Sequence, residues 1–403
     1  MARHALFAIA GQGEALDVAL RVAVEARERG HDVALHAPAH CAWAARVEKL
    51  PFHEVDVEDA EMAIAAVCDE ADTVLVVDLL STMWALGKDG TEHMRKNAKL
   101  VVLDPWDIAL GGRTIDVAST RRDLPKGPLL TKKRLVPVPS GDPTAEGAFR
   151  ALPEAPADKA ARKDQRARAR KALGVADDER VLLLPTGAWQ SPGVQHDKEC
   201  KLLAEHVPEL LLGRVVDLGE EVHVVHASPW PLPDWEETLG ERYHWVLPAG
   251  LARTHARYAA ADLVVSLDTS AAAVAWAIAW KVPLLVVSNA FGGDKPEAVA
   301  RAAKIKLGDK TRAWLDGATP LIPFRSWPVG LHRTLEPPPG AVPSWTEAEL
   351  LDEVGFLEGA KALLFDEAER KRARREHGEY AATLADLKGG GALWEEIAET
   401  AAT

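Results

Sequence analysis

The chain has 403 residues, of which 47% are hydrophobic and 27% charged, the make-up of a folded protein with room for two domains of ordinary size. Its 48 Lys and Arg against 61 Asp and Glu leave a net charge of −13. That balance excludes a general nucleic-acid binder and a polybasic membrane anchor, because both need a basic face. The cysteines, Cys41, Cys68 and Cys200, follow no motif spacing, which points to a reducing compartment without a disulfide framework. Thirteen tryptophans outnumber the seven phenylalanines and three tyrosines together.

In chain order, residues 4–10 read as a strand whose apolar run stops at Gly11-Gln12-Gly13-Glu14, too early for a signal-peptide core. Residues 14–29 read as a helix with Leu16, Ala19, Leu20 and Ala23 on one face, closed by Gly30. Strands follow at 32–36, 52–56, 73–77 and 100–103. Continuous apolar strands separated by helices indicate a parallel sheet covered on both faces. Residues 141–165 are richer in proline, and Lys159 to Lys171 holds seven Lys and Arg against one Asp. That run is either an anion site or a solvated helix joining two domains.

The alternation then restarts, with strands at 181–185, 222–226, 243–247, 263–267 and 283–288. Helices are expected at 196–212, 251–260 and 270–280, and amphipathic closing helices at 346–384 and 392–402. The longest uncharged run, Thr269 to Trp280, is well short of the roughly 20 residues a membrane span requires. A soluble, cytoplasmic α/β protein with two doubly wound, Rossmann-like domains is the expectation. The divisions are 1–155, a linker at 156–172, a second domain at 173–375 and C-terminal helices at 376–403 that return to the first domain.

In open parallel sheets, ligands bind at the carboxyl ends of strands, so the strand-to-helix loops carry the candidates. The loop Gly11, Gln12, Gly13 and Glu14 allows close backbone approach and places a carboxylate at the cleft mouth. It lacks the third glycine of a dinucleotide fingerprint, and equally serves as a tight turn. Asp78 and Asp104 follow apolar strands, where a carboxylate is either a general base or a cap for the next turn. In the second half, Thr186, Gly187, Trp189 and Gln190 form a loop of small and flat residues. Asp268, Thr269, Ser270 and Ala271 begin a helix whose free N–H groups could cradle a diphosphate, or serve as a plain N-cap. Arg325 and Trp327 lie in a Pro-rich stretch at 320–330 that either meets the ligand or crosses the core. Trp276 and Trp280, four apart, read as core, whereas Trp106, Trp189 and Trp327 read as loop residues open to stacking. The 14 histidines show no ligand spacing, and His223 and His226 point to opposite faces of one strand, so no metal is expected.

Together these segments resemble GT-B glycosyltransferases. The carriers in the second half are Arg168 to Gly174 with Asp177-Asp178-Glu179, then Tyr258 to Asp262, the loop at 268–271 and Lys281 to Val287. In the first half they are the N-terminal strand, the Gly11-to-Glu14 turn and Arg29 to Val33. The resemblance implies two facing domains, an N-terminal one for the acceptor and a C-terminal one for a nucleotide-diphosphate sugar donor, without a tightly bound cofactor. It places the diphosphate at Asp268 to Ala271, the nucleotide and sugar beside Thr186 to Gln190, and the base near the Val246 backbone. Departures are visible. Glu14 stands where many inverting members carry His, Ser266 to Ser270 replaces His-Gly-Gly, and Asn289 to Asp294 replaces the acidic-Gln pair.

The function expected is metal-independent transfer of a sugar to a small-molecule or glycan acceptor, of a kind found in bacterial biosynthesis, with Glu14, Asp104 or Asp78 as base. A sugar-nucleotide epimerase or hydrolase on the same scaffold, or an eroded binding protein, are the alternatives. Neither a nucleic-acid partner nor a transmembrane segment is expected, and the sequence leaves the oligomeric state open.

Overall fold

The computed structural model describes residues 2–9, 13–77, 79–106, 108–111, 114–117, 120–123, 133–139, 142–187, 190, 198–269, 271–303, 307–326 and 345–402. The first domain alternates β1 (Arg3–Phe7), α1 (Gly13–Glu28), β2 (Asp32–Ala37), α2 (Ala42–Glu48), β3 (Phe52–Glu54), α3 (Ala60–Glu70), β4 (Thr73–Val76), α4 (Leu79–Lys96) and β5 (Leu100–Leu103). A small hairpin, β6 (Thr114–Val117) and β7 (Thr120–Asp123), precedes β8 (Arg134–Val138) and β9 (Ala148–Arg150). The main sheet is parallel throughout, in the order β3-β2-β1-β4-β5-β8-β9. Helices α2, α3 and α4 are the expected connections between these strands, whereas the hairpin, β8 and β9 were not anticipated.

A long helix, α5 (Lys159–Leu173), leads into β10 (Arg180–Pro185), α6 (Lys198–Val216), β11 (Val222–Ala227), α7 (Pro233–Leu239), β12 (Tyr243–Val246) and α8 (Leu251–Ala260). The chain returns through β13 (Leu263–Ser266), α9 (Ala272–Trp280), β14 (Leu284–Ser288), α10 (Pro296–Ala303), α11 (Asp309–Ala318) and β15 (Thr346–Glu349). This second sheet is also parallel, in the order β12-β11-β10-β13-β14-β15. Helices α12 (Glu353–Phe365), α13 (Glu367–Thr383) and α14 (Gly390–Ala402) close the chain.

Both sheets run outward from a central strand, then restart on its other side. The order therefore reverses between β1 and β4 and between β10 and β13, where adjacent strand ends part and leave a crevice. Every residue of β4, β5 and β13 is buried, as strands covered on both faces require. Leu16, Ala19, Leu20 and Ala23 form the buried stripe of α1, and Gly30 follows its end at φ 93°.

Two expectations are corrected here. Residues 346–349 do not continue the closing helices. They pair with β14 in the register Leu285↔Thr346, because an open sheet edge overrides the helical propensity of Glu and Ala. The basic stretch at 159–171 forms the expected helix between the two sheets, but one of its faces is not solvated. It is α5, seated on the second domain by Arg166 and Arg170, which pair with the buried Asp262 at 2.7 and 2.9 Å. At the other end of the chain, α14 lies against α1. Its Trp394 is fully buried, and Glu395 meets Arg29 Nε at 2.7 Å and His31 at 3.0 Å.

Candidate functional site

The crevice of the second sheet opens toward the first domain and forms a cavity of about 560 Å³. Its floor is the carboxyl ends of β10 and β11, reached at Pro185, Thr186 and Ala227. One wall is α8 with the turn Leu247 to Gly250 that precedes it, and a second is the N-terminus of α9 at Ala272 and Ala273. The roof belongs to the first domain, which contributes Asp17 and Leu20 from α1, His40, and Trp43 and Glu48 from α2. The cavity is thus a property of both domains.

Two polar contacts hold the roof in place. Trp276 Nε1 donates to Asp17 Oδ2 at 3.1 Å across the cleft, and Asp17 also meets Arg21 Nε at 3.1 Å. Trp276 is stacked on Tyr258 at 5.5 Å and touches His255 edge-on at 4.7 Å. The residue read as plain core is therefore a domain tie that also lines the cavity. The second contact is Glu48, whose carboxylate accepts the Leu251 N–H at 2.8 Å, so that an acid of the first domain caps α8 of the second.

Helix α9 is different. Its N-cap, Ala271, has no side-chain acceptor, and the following residues face the cavity. First-turn N–H groups at the positive end of a helix dipole suit an anion. Arg257 is the cationic side chain on this wall. Burial pulls its guanidinium down to about 10, and it donates to the Leu247 carbonyl.

Thr186 and Gly187 line the cavity. Gln190 is buried and caps its own loop, accepting the Gly187 N–H at 2.7 Å. Thr186 meets His226 Nε2 at 3.0 Å, and His226 Nδ1 meets the Tyr243 hydroxyl at 2.7 Å. Gly13 and Glu14 open α1. Gly11, Gln12, Asp78, Trp189, Ser270 and Trp327 lie outside the described residues.

Several expected roles are redirected. Asp104 is 1% exposed and accepts the Ile108 N–H at 2.7 Å, the Ala109 N–H at 3.0 Å and Arg134 at 3.2 Å. A carboxylate so enclosed caps the turn after β5 and is no base in a cleft. Trp106 packs against the core of the first domain. Thr269 spends both its amide and its hydroxyl on the Arg325 carbonyl, each at 3.0 Å, so neither donor is left for a phosphate. The Arg325 side chain pairs with Glu347, and the segment around it crosses the core by antiparallel bridges from Asn289 to Phe324 and from Gly293 to Leu321. Asp268 is buried in the turn, its amide on Ser266 Oγ at 3.2 Å. Of the α9 residues, Ala272 and Ala273 line the cavity, one helical step beyond that turn. The Val246 carbonyl accepts the Ser228 N–H at 3.1 Å.

The sequence reading missed Asp17, Trp43, Glu48, Arg257 and His226. Asp17 is the one with a local signal, since it stands one turn after Glu14 in the same helix.

A family model matches residues 30–402, nearly the whole length over which both sheets and the cavity are built. The chain belongs to DUF6365, a family of unknown function. No curated protein matches it in sequence. Among solved structures it is similar to the spinosyn forosaminyltransferase SpnP, at 12% identity and a TM-score of 0.51, with 99% of each chain covered. It is also similar to WaaG, a glycosyltransferase involved in lipopolysaccharide biosynthesis, at 13% identity and a TM-score of 0.49 over 99% of both chains. HepE from Anabaena, solved with UDP and glucose, matches at 11% identity and a TM-score of 0.49 over 100% of both chains. The fold of this DUF6365 chain is the GT-B fold, two parallel-sheet domains facing across a cleft. Among the described residues, no group of three or more His, Cys, Asp or Glu side chains could hold a metal, and no helix is long and apolar enough to cross a membrane.

Proposed function

We propose that this DUF6365 chain is a metal-independent glycosyltransferase that uses a nucleotide-diphosphate sugar. The observation that carries the reading is the α9 N-terminus, with alanine at its N-cap, opening into an interdomain cavity of about 560 Å³. That volume suits a nucleotide-sized ligand, and the wall is mostly apolar with few polar groups, as small-molecule sites are. The diphosphate sits at Ala272 and Ala273, where helix-end N–H groups stabilise it as a leaving group. The sugar and the phosphate that carries it lie beside Thr186 and Gly187, and the acceptor enters from the side of the first domain. An acidic protein with an anionic substrate is consistent here, because the charge is met by backbone dipoles rather than by a lysine patch.

Glu14, in the first turn of α1 and one turn before the cavity-lining Asp17, is the proposed general base. It deprotonates the acceptor nucleophile, which attacks the anomeric carbon as the bond to the diphosphate breaks. Glu14→Gln is expected to keep nucleotide affinity and lower turnover by about 10²–10⁴. The measurement is product formation from a nucleotide sugar with and without acceptor. Turnover unchanged in Glu14→Gln removes the base. Donor that is epimerised or hydrolysed without any acceptor favours an epimerase or hydrolase instead.

A further inference from the structure

The Thr186 hydroxyl is held by a chain of groups that leaves it one orientation. The chain begins at the Leu232 N–H, which donates to the Tyr243 hydroxyl oxygen at 3.1 Å. Tyr243 has a single hydroxyl proton, and its other partner is His226 Nδ1 at 2.7 Å. His226 Nε2 then meets Thr186 Oγ1 at 3.0 Å.

Proton counting sets the direction. If His226 Nδ1 carried the proton, the tyrosine oxygen would accept two N–H groups and its own proton would point at neither. With Nδ1 as acceptor, the Leu232, Tyr243 and His226 protons each have a partner. The ring proton then resides on Nε2 and is donated to Thr186, so the threonine proton must point elsewhere. Burial supports a neutral ring, since His226 is 1% exposed and burial alone lowers its pKa to about 4. Trp235 and Tyr243 flank the ring, with centroids at 6.3 and 6.0 Å, and restrict its rotation. Thr186 stands at the end of β10, on the cavity floor.

We propose that His226 and Tyr243 are positioning residues that fix the Thr186 hydroxyl as a hydrogen-bond donor to a diphosphate oxygen of the bound nucleotide. The inference rests on the functional reading above and adds to it a pair of residues that never touch the ligand. A hydroxyl locked as donor favours a pure acceptor, which a phosphate oxygen is and a nucleoside hydroxyl is not. Discrimination at this point is therefore for the diphosphate over the bare nucleoside.

The test has two independent readouts. In the free protein, ¹⁵N shifts of the His226 ring at neutral pH should show the neutral Nε2–H form, and Tyr243→Phe should mix in the Nδ1–H form. A cationic ring or a dominant Nδ1–H form in the wild type overturns the inference. For binding, UDP, GDP, dTDP and ADP are titrated alongside their nucleosides. Thr186→Val should weaken the bound diphosphate about tenfold or more and leave the nucleoside unchanged, and Thr186→Ser should restore affinity. If the wild type binds a diphosphate and Thr186→Val binds it equally well, the inference fails and the functional reading stands. If the wild type binds none of the four, the functional reading itself falls. The Thr186 variants keep Tyr243 and His226 intact, so the binding test holds even if Tyr243→Phe does not fold.

Discussion

His4 on β1, His36 on β2 and His226 on β11 are buried on the strands that build the two sheets, and burial lowers each pKa to about 4. For His4 the neighbouring His31 adds to the effect, and for His36 the ring of His53, stacked at 4.5 Å, does the same. In the unfolded chain the same rings take a proton near pH 6.5. Between pH 6.5 and 4 the unfolded state therefore binds more protons than the folded one, and stability falls as the pH falls. The melting temperature should drop steadily from pH 6.5 to 5, above the range in which most carboxylates titrate. A melting temperature that stays level or rises over that window contradicts the burial of neutral rings. Such pairings were not legible in the sequence. The spacing of His223 and His226 shows that they face opposite sides of a strand, but which ring nitrogen meets Tyr243 depends on a strand pairing that no local pattern encodes.

At the scale of elements, α5 and α13 are fastened to the second domain by one carboxylate. Asp262 receives Arg166 at 2.7 Å, Arg170 at 2.9 Å and Arg370 at 3.1 Å, together with the Val181 N–H at 3.0 Å. Arg166 also donates to the last carbonyls of α8, at Ala259 and Ala260, and to that of Ala261. The anions met by the basic run are thus Asp262 and a helix C-terminus. Its charge was plain from the sequence, but the partner stands 90 residues or more away, beyond any local reading. Asp262→Ala strips a buried Arg170 of its counter-charge and should cost about 3–5 kcal/mol in urea unfolding. A loss below about 1 kcal/mol would show that the arginines find other partners. The helix boundaries near the site were legible for the same kind of reason that the clamp was not. Residues 251–260 and the end of α9 follow from apolar spacing and a chain break, whereas β15 required the neighbouring edge of β14.

Over the whole molecule, the alternation of short apolar strands with helices indicated two doubly wound sheets, and the structure has them in matching strand orders. The crevices follow from those orders. What the sequence could not supply is how one domain closes on the other, because Asp17 meets Trp276 and Glu48 meets Leu251 only when both sheets are built. That is why the loop at Thr186 was found and its roof was not. It is also why the diphosphate is proposed at the first turn of α9 rather than at Asp268 and Thr269, which the turn and the crossing segment occupy.

The central claim is that the interdomain cavity binds a nucleoside diphosphate at the α9 N-terminus. Calorimetric titration of UDP, GDP, dTDP and ADP into the wild type and into Ala273→Glu tests it most directly, since the new carboxylate occupies the anion position while keeping an acid at a helix N-terminus. The account predicts that at least one nucleotide binds the wild type, stabilising it by about 2.7 kcal/mol at 100 times its dissociation constant, and that Ala273→Glu folds but binds none. Equal binding by both proteins, or no binding to the wild type, would contradict it.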